Sequence, residues 1–126
     1  MSDPDAATPV DGQDGRTLFE DIEQSGLDDA ETYVIHRGAT CFALLNAYPY
    51  TSGHLMVLPR RAVATLNGLT DEEHDGLWAM VRDAVAAMES AFSPEGVNVG
   101  LNLGPAAGAR VPDHLHVHVV PRWAGD

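Results

Sequence analysis

The sequence contains no lysine and only seven arginines, against 19 acidic residues in a chain of 126 residues. Its formal net charge is therefore -12 at pH 7. Proteins that bind nucleic acid derive much of their affinity from clustered basic side chains that contact phosphates. This scarcity of bases argues against a general nucleic-acid-binding surface, so no nucleic-acid partner is expected.

Cysteine is almost absent, since Cys41 is the only one in the chain. A single cysteine excludes an intramolecular disulfide and a Cys-x-x-Cys metal site, and its apolar surroundings predict a small buried side chain. No run approaches the ~18 apolar residues that a membrane span needs, and the N-terminus has neither a basic nor an apolar signal region. These absences predict a cytoplasmic protein with no membrane partner.

The acidic residues are concentrated at the N-terminus. Residues 1–31 contain ten acidic residues and one arginine, a net charge of -9. Residues 32–126 contain nine acidic residues and six arginines, a net charge of -3. Two interpretations stay open: a solvated N-terminal segment, or an acidic surface adapted to a salt-rich cytoplasm. Residues 1–15, rich in proline, glycine and aspartate, are predicted to be a disordered tail. Residues 16–126 are expected to form a single domain.

The hydrophobic patterns predict an α+β fold with about five antiparallel strands and one main helix. Strands are expected at residues 33–36, 40–46, 54–58, 97–103 and 114–120, bounded by turn residues. Thr70 and Glu73 form a capping-box pattern that predicts the start of the helix, and Ser93-Pro94 predicts its end. Between these ends an apolar residue recurs every three or four positions, so one helix face should pack on the sheet.

The segment His114-Leu115-His116-Val117-His118 carries the chemistry. Alternate side chains of a strand share a face, so the histidines should form one row while the apolar residues face the helix. The preceding strand alternates valine and leucine with small polar residues (Asn98, Gly100, Asn102). Its second face therefore leaves room for a ligand beside the histidine row.

Residue chemistry alone leaves three interpretations of this row. Its members could be structural, although core histidines usually occur singly. They could bind zinc, but the first and third Cα atoms of such a row lie about 13 Å apart, too far for all three to share one ion without distortion. A neutral imidazole could instead attack phosphorus, if one ring nitrogen donates to a backbone carbonyl and the other keeps its lone pair. Neighbouring histidines would then contact phosphate oxygens, which favours phosphoryl transfer.

The run from His114 to Val120 resembles the signature of the histidine triad (HIT) family, in which three histidines alternate with apolar residues. Phe19 and Ile22, three apart as on a short helical turn, look like the family's N-terminal element, and Asn46 followed by Pro49 and His54 is similar to a family strand-loop-strand. The resemblance covers about residues 18–123. Pro121-Arg122-Trp123 looks most like the diadenosine polyphosphate branch, which includes the fragile histidine triad hydrolases and bacterial diadenosine tetraphosphate phosphorylases. A HIT-like fold and a homodimer are implied.

The resemblance also implies an activity: a nucleotide-binding hydrolase or transferase that cleaves dinucleoside polyphosphates such as diadenosine tetraphosphate. His116 would attack the α-phosphorus and form a transient nucleotidyl-histidine. His114, His118 and His54 would orient it and contact the phosphate or leaving group. The implied substrate-binding residues are Asn46 at the ribose, Asn102 at the phosphate or leaving group, the loop that contains Gly108 and Arg110 at the phosphates, and Phe19, Ile22, Leu44 and Met56 at the base.

No required cofactor is implied, although a divalent cation can accompany the polyphosphate. Arg110 stands in a stretch where relatives often place a phosphate-binding Ser or Gln, so it either replaces that contact or is a solvated loop cation. The N-terminal cysteine pair that binds zinc in many bacterial relatives is missing, and polyphosphate-cleaving relatives usually continue beyond the point where this sequence stops. Adenosine phosphoramidase activity, or a nucleotide-binding module with little turnover, therefore stays open as an alternative.

Overall fold

The computed structural model describes residues 34–45 and 54–125. The predicted disordered tail, the N-terminal helical element with Phe19 and Ile22, and Asn46 lie outside these residues. The described elements are β1 (Val34–Arg37), β2 (Cys41–Leu45), β3 (Leu55–Pro59), α1 (Asp71–Phe92), β4 (Gly96–Leu101) and β5 (Val117–Arg122), with 3-10 turns at Leu66–Gly68 and Pro105–Ala107. The predicted α+β architecture is confirmed.

Neighbouring strands of the sheet are antiparallel, and their order is β1-β2-β3-β5-β4. The last strand in sequence, β5, therefore lies between β3 and β4. Its residue His118 is paired with Met56 of β3 on one side and Gly100 of β4 on the other. This topology places the end of the histidine row in the middle of the sheet.

The two faces of the sheet are packed differently. The main core lies between the sheet and α1 and includes Val57, Val117 and Val119, which are fully buried. The opposite face carries a smaller apolar cluster: Val34, Phe42, Leu44 and Leu58, with Met56 and Val111 packed against them. Because Val117 and Val119 face the helix, His118 lies on the face with the smaller cluster.

Both ends of α1 follow the predicted signals. The Thr70 hydroxyl accepts from the backbone N–H of Glu73 at 3.1 Å, and the Glu73 carboxylate accepts from the backbone N–H of Thr70 at 2.8 Å. This is a complete capping box. The helix ends at Ser93, which has a left-handed conformation with φ of 48° and donates its N–H to the Glu89 carbonyl. Pro94, which follows, cannot continue the helix.

The boundaries of all five strands differ from the predictions, and the largest differences are in β5 and β4. The prediction of a strand from His114 to Val120 was wrong, because β5 begins at Val117 and continues through Pro121 to Arg122. β4 ends at Leu101 rather than at residue 103, and Val99 and Leu103 are 46% and 42% exposed. Since β4 is the edge strand of the described sheet, its alternating side chains have a strand neighbour on one side only.

A glycine in α1 provides a test of the packing between helix and sheet. An added Cβ at Gly76 would overlap Thr40 Oγ1, just before β2. Replacing glycine by alanine inside a helix ordinarily stabilises it by about 1 kcal/mol. Because of this overlap, we expect Gly76→Ala to lower the free energy of unfolding instead, by about 1–3 kcal/mol, as measured by urea unfolding.

The control for this prediction is the same substitution in a Thr40→Ala background. The hydroxyl is then absent, and the remaining Cβ of residue 40 lies 3.6 Å from the added methyl group, an ordinary contact. Gly76→Ala should therefore become neutral or stabilising. An equal loss of stability in both backgrounds would contradict the steric explanation.

Candidate active site

His116 has the geometry that a nucleophilic imidazole requires. It lies directly before the first residue of β5, and 9% of it is exposed. Its Nδ1 is 3.1 Å from the carbonyl oxygen of His114. Because a carbonyl oxygen can only accept, Nδ1 donates its proton in this bond and the lone pair resides on Nε2. This is the tautomer that attack on phosphorus needs.

His118 and His54 lie beside His116 and complete a cluster of three imidazoles. The ring centroid of His118 is 4.8 Å from that of His116 and 5.1 Å from that of His54. His118 Nδ1 and His54 Nε2 are 2.9 Å apart, so one of these nitrogens donates to the other. His54 precedes β3, and the pairing of Met56 with His118 brings it to this position. The sheet thus gathers residues that are 64 positions apart in sequence.

His114 lies in a different environment from the other three histidines. It is fully buried, its Nε2 donates to the Pro59 carbonyl at 2.7 Å, and its ring is edge-on to Phe42 with 6.5 Å between the centroids. Its carbonyl orients His116, which is one part of the role that the family resemblance implied. No part of the residue is exposed for a phosphate to contact.

Burial and mutual repulsion favour the neutral form of the clustered imidazoles. Burial first, and then the neighbouring His116 and His54, lower the pKa of His118 to about 4. Burial also lowers the pKa of His116, although its hydrogen bond to the His114 carbonyl opposes this effect. The pKa of His54 is lowered by burial and by His116. Neutral rings suit nucleophilic chemistry, because protonation of Nε2 would remove its lone pair.

An apolar surface adjoins the imidazole cluster on the same face of the sheet. Met56 lies opposite His118 in the pairing of β3 with β5, and Leu44 lies opposite Met56 in the pairing of β2 with β3. Both belong to the smaller apolar cluster. The structure therefore brings two of the residues implied for the base next to the histidines, while Phe19, Ile22 and Asn46 lie outside the described residues.

The loop between β4 and β5 contains the residues implied for the phosphates. Gly104 and Gly108 have φ values of 84° and 96°, which favour glycine. The backbone N–H groups of Ala107, Gly108 and Ala109 donate to carbonyls within the loop at 3.0–3.1 Å. These three groups stabilise the turn itself. A Cβ at Gly108 would lie 3.8 Å from Asn102 Nδ2, so the turn packs near Asn102, which is exposed, as is Arg110.

The pattern of residue types identified the histidines but missed the backbone groups that hold them. The carbonyls of Pro59 and Val63 accept from the His114 ring and from the Leu115 N–H. A carbonyl belongs to every residue, so no residue type indicates which one will be used. The two remaining histidines of the chain differ in exposure: His36 is exposed, whereas His74 is half-buried, with Nε2 3.0 Å from the Leu66 carbonyl.

Residues 34–45 and 54–125 contain neither a metal-binding cluster nor a membrane-spanning helix. No group of three or more His, Cys, Asp or Glu side chains in these ranges is arranged to hold a metal ion. No helix in the same part of the chain is long and apolar enough to cross a membrane.

Among protein families, the HIT domain matches residues 28–125 of this chain. Among curated proteins, the AP-4-A phosphorylase of Mycobacterium tuberculosis is 50% identical over 108 residues, which cover 86% of this chain and 54% of that protein. The asymmetrical bis(5'-nucleosyl)-tetraphosphatase of Schizosaccharomyces pombe is 39% identical over 93 residues, 74% of this chain and 50% of that protein. The chain thus spans about half the length of these relatives.

Solved structures show the same fold. The NitFhit protein of Caenorhabditis elegans superposes with a TM-score of 0.70 at 33% identity, over 75% of this chain and 23% of that one. A HIT family protein from Bacillus subtilis superposes with a TM-score of 0.74 at 26% identity, over 86% of this chain and 74% of that one. These structures contain the same arrangement of an antiparallel sheet and main helix.

The lowered pKa of His118 provides a test of the site in solution. Its ring should titrate at about pH 4 in the folded protein, followed by NMR of the ring protons, and near the ordinary value of about 6.5 in urea. The pKa of His118 is lower in the folded protein than in the unfolded chain, so protonation favours unfolding. The neutral His118 ring therefore contributes fully to stability above about pH 6.5, and this contribution is lost as the pH falls towards 4. His118→Asn should flatten the fall in stability over this range. Titration of the folded ring above pH 6.5 would contradict the described burial.

Proposed function

Because the chain belongs to the HIT domain family, we propose that it is a nucleotidyl hydrolase or transferase that cleaves dinucleoside polyphosphates through a covalent nucleotidyl-His116. The observation that carries this proposal is the hydrogen bond from His116 Nδ1 to the His114 carbonyl, which orients Nε2 as the nucleophile. The names of the relatives from M. tuberculosis and S. pombe support the substrate class.

The reaction takes place in two displacements at the α-phosphorus. In the first, Nε2 of His116 forms a bond to phosphorus while the bond to the bridging oxygen breaks, and the remaining nucleoside polyphosphate leaves. In the second, an acceptor oxygen bonds to phosphorus, the bond to Nε2 breaks, and His116 recovers its lone pair. His118 and His54 contact the phosphoryl oxygens or the leaving group in this proposal, which stabilises charge where it develops. The proposal is supported by the His118 ring, which lies 4.8 Å from that of His116 and 5.1 Å from that of His54.

The surroundings of the histidines support an assignment of substrate contacts. The base lies on the apolar surface of Leu44 and Met56, and Asn102 and Arg110 contact the polyphosphate. Arg110 then supplies a charge-assisted hydrogen bond to phosphate. Phe19, Ile22 and Asn46 keep their predicted roles at the base and ribose. A divalent cation, where one takes part, arrives bound to the polyphosphate.

Inorganic phosphate is the favoured acceptor in the second displacement. The relative with 50% identity is named a phosphorylase, while the relative with 39% identity is named a tetraphosphatase. With phosphate, diadenosine tetraphosphate would give ATP and ADP; with water it would give ATP and AMP. The proposal therefore specifies ATP plus ADP as the products.

We predict that His116→Asn abolishes this turnover while nucleotide binding is retained, because asparagine keeps a polar side chain but has no nucleophilic nitrogen. The matched control is His36→Asn, the same replacement at an exposed histidine of β1 that lies near Met80 and Asp83 of α1. Rates are measured with diadenosine tetraphosphate, and binding by calorimetry. A wild-type rate in His116→Asn would contradict the covalent mechanism.

Product analysis identifies the acceptor and separates the alternatives. The protein is incubated with diadenosine tetraphosphate and with AMP phosphoramidate, each with and without inorganic phosphate. ADP that appears only with phosphate supports phosphorolysis, and AMP in its place shows hydrolysis. Turnover of AMP phosphoramidate alone would identify a phosphoramidase, and no product from either donor would identify a nucleotide-binding module.

A homodimer and a cytoplasmic location complete the proposed function. β4 forms an edge of the described sheet, and the nearby Val99, Leu103 and Phe92 are exposed large apolar residues. An open strand edge with apolar side chains is suited to pair with a second copy of itself. The cytoplasmic location stays a prediction from the sequence.

We predict that Val99→Asp converts the dimer into a monomer, since it places a charge on the exposed apolar side of β4. The matched control, Asn98→Asp, adds the same charge to the opposite face of the same strand and should leave the dimer intact. Light scattering coupled to size exclusion measures the mass of each variant. A wild-type protein with the mass of one chain would contradict the proposed interface.

A further inference from the structure

The nucleophile lies just outside the hydrogen-bond ladder of the sheet. Pairing of β5 with β3 and with β4 begins at Val117, one residue after His116. Two backbone carbonyls of the segment Pro59–Val63, which begins at the last residue of β3, contact the histidine segment instead. Pro59 O accepts from His114 Nε2 at 2.7 Å, and Val63 O accepts from the Leu115 N–H at 2.8 Å. The position of Pro59–Val63 therefore contributes to the position of the His114 carbonyl and, through it, of the His116 ring.

Arg61 lies at the centre of this supporting segment and connects it to α1. Its Nε is 3.0 Å from Glu73 Oε2, and its Nη2 is 2.7 Å from Glu73 Oε1. The same Nη2 also donates to the Gly68 carbonyl at 2.7 Å. A guanidinium that binds both oxygens of one carboxylate is restricted in orientation as well as in distance. The pair thus holds Pro59–Val63 against the start of the helix.

Glu73 is itself firmly placed. Its side chain is 11% exposed, and its carboxylate accepts from the Thr70 N–H in the capping box. The Arg61 hydrogen bonds, together with those from Thr70, lower the pKa of Glu73 to about 2, although burial opposes them. The Glu73 carboxylate is therefore charged at any pH at which the histidine cluster is neutral. The ion pair with Arg61 is formed throughout that pH range.

We propose that Arg61 and Glu73 are positioning residues for His116. Their ion pair holds the segment Pro59–Val63, whose carbonyls hold His114 and Leu115, and the His114 carbonyl orients the His116 ring. Neither residue of the pair touches the reacting atoms. The effect of this pair on catalysis rests on the proposed function. The contacts that link the pair to His116 do not depend on whether the protein turns over a substrate.

The expected effect follows from that chain of contacts. Without the guanidinium, Pro59–Val63 loses its ion pair with α1 and keeps the apolar packing of Val63, so the His114 carbonyl is less well placed to accept from His116 Nδ1. The other tautomer, with the proton on Nε2, then becomes populated, and this tautomer has no lone pair at the attacking nitrogen. The maximal rate should fall while substrate binding is kept, because the base and phosphate contacts lie elsewhere.

The test compares Arg61→Ala, Arg61→Lys and the control Arg82→Ala. Arg82 is also paired with a carboxylate, Asp83, at 3.2 Å, but both side chains are exposed on α1. We expect Arg61→Ala to lower kcat with diadenosine tetraphosphate by about 10- to 100-fold with little change in KM. Arg61→Lys should recover part of the rate, and Arg82→Ala should match the wild type. All rates are measured well below the unfolding temperature of each variant.

Nitrogen NMR of the imidazoles supplies a measurement that does not require turnover. The wild-type His116 should show the proton on Nδ1, and Arg61→Ala should show a mixture of tautomers. Should Arg61→Ala not fold, Glu73→Gln replaces it, because glutamine retains an oxygen acceptor for the Thr70 N–H but loses the charge that binds Arg61. A wild-type tautomer and a wild-type kcat in either folded variant would overturn the inference.

The results also separate failure of this inference from failure of the proposed function. A wild-type protein without turnover, in which Arg61→Ala still alters the His116 tautomer, would support the positioning role and refute the enzyme activity. A fully active wild type whose Arg61→Ala variant shows equal losses of kcat and stability, with an unchanged tautomer, would assign the pair a structural role only and overturn the inference.

Discussion

The hydrogen bond between His116 Nδ1 and the His114 carbonyl is the interaction on which the site depends. It assigns the proton to one nitrogen of an almost completely buried ring, and so leaves the lone pair on Nε2, the proposed nucleophile. A buried carbonyl needs a partner, and here the His116 ring supplies it. The fully buried His114 ring, bonded to Pro59, holds that carbonyl in turn. A fully buried residue therefore determines the orientation of the proposed nucleophile.

The electrostatics of the site depend on burial more than on net charge. Desolvation is the largest effect on His54, His116 and His118, and in each case it favours the neutral ring. The chain has a formal charge of -12, yet residues 1–31 account for -9 of it. A cluster of neutral imidazoles with Arg110 in the adjoining loop is consistent with an anionic substrate in spite of that acidity. Both interpretations of the acidity, a solvated N-terminal segment and a surface adapted to a salt-rich cytoplasm, stay open.

Local patterns predicted those features that depend on neighbouring residues. The Thr70–Glu73 capping box and the helix end at Ser93 are formed as expected, since each involves residues within one helical turn. The start of β5 was not predictable, because alternation of apolar and polar residues continues from His114 without a break. The ladder instead begins where partners in β3 and β4 are available, at Val117. Exposure of Val99 likewise follows from the place of β4 at the sheet edge.

The sequence by itself determined the chemistry that is available: three histidines at alternate positions, an apolar row between them, and a family signature specific enough to indicate phosphoryl transfer. Only the tertiary structure decided the burial and the hydrogen-bond partners of each histidine. It buries His114, joins His118 to His54 across 64 positions, and holds His114 and Leu115, next to His116, through the carbonyls of Pro59 and Val63. The physical reason is that side-chain chemistry belongs to each residue, whereas burial and backbone hydrogen bonds arise from distant segments brought together by the sheet and α1.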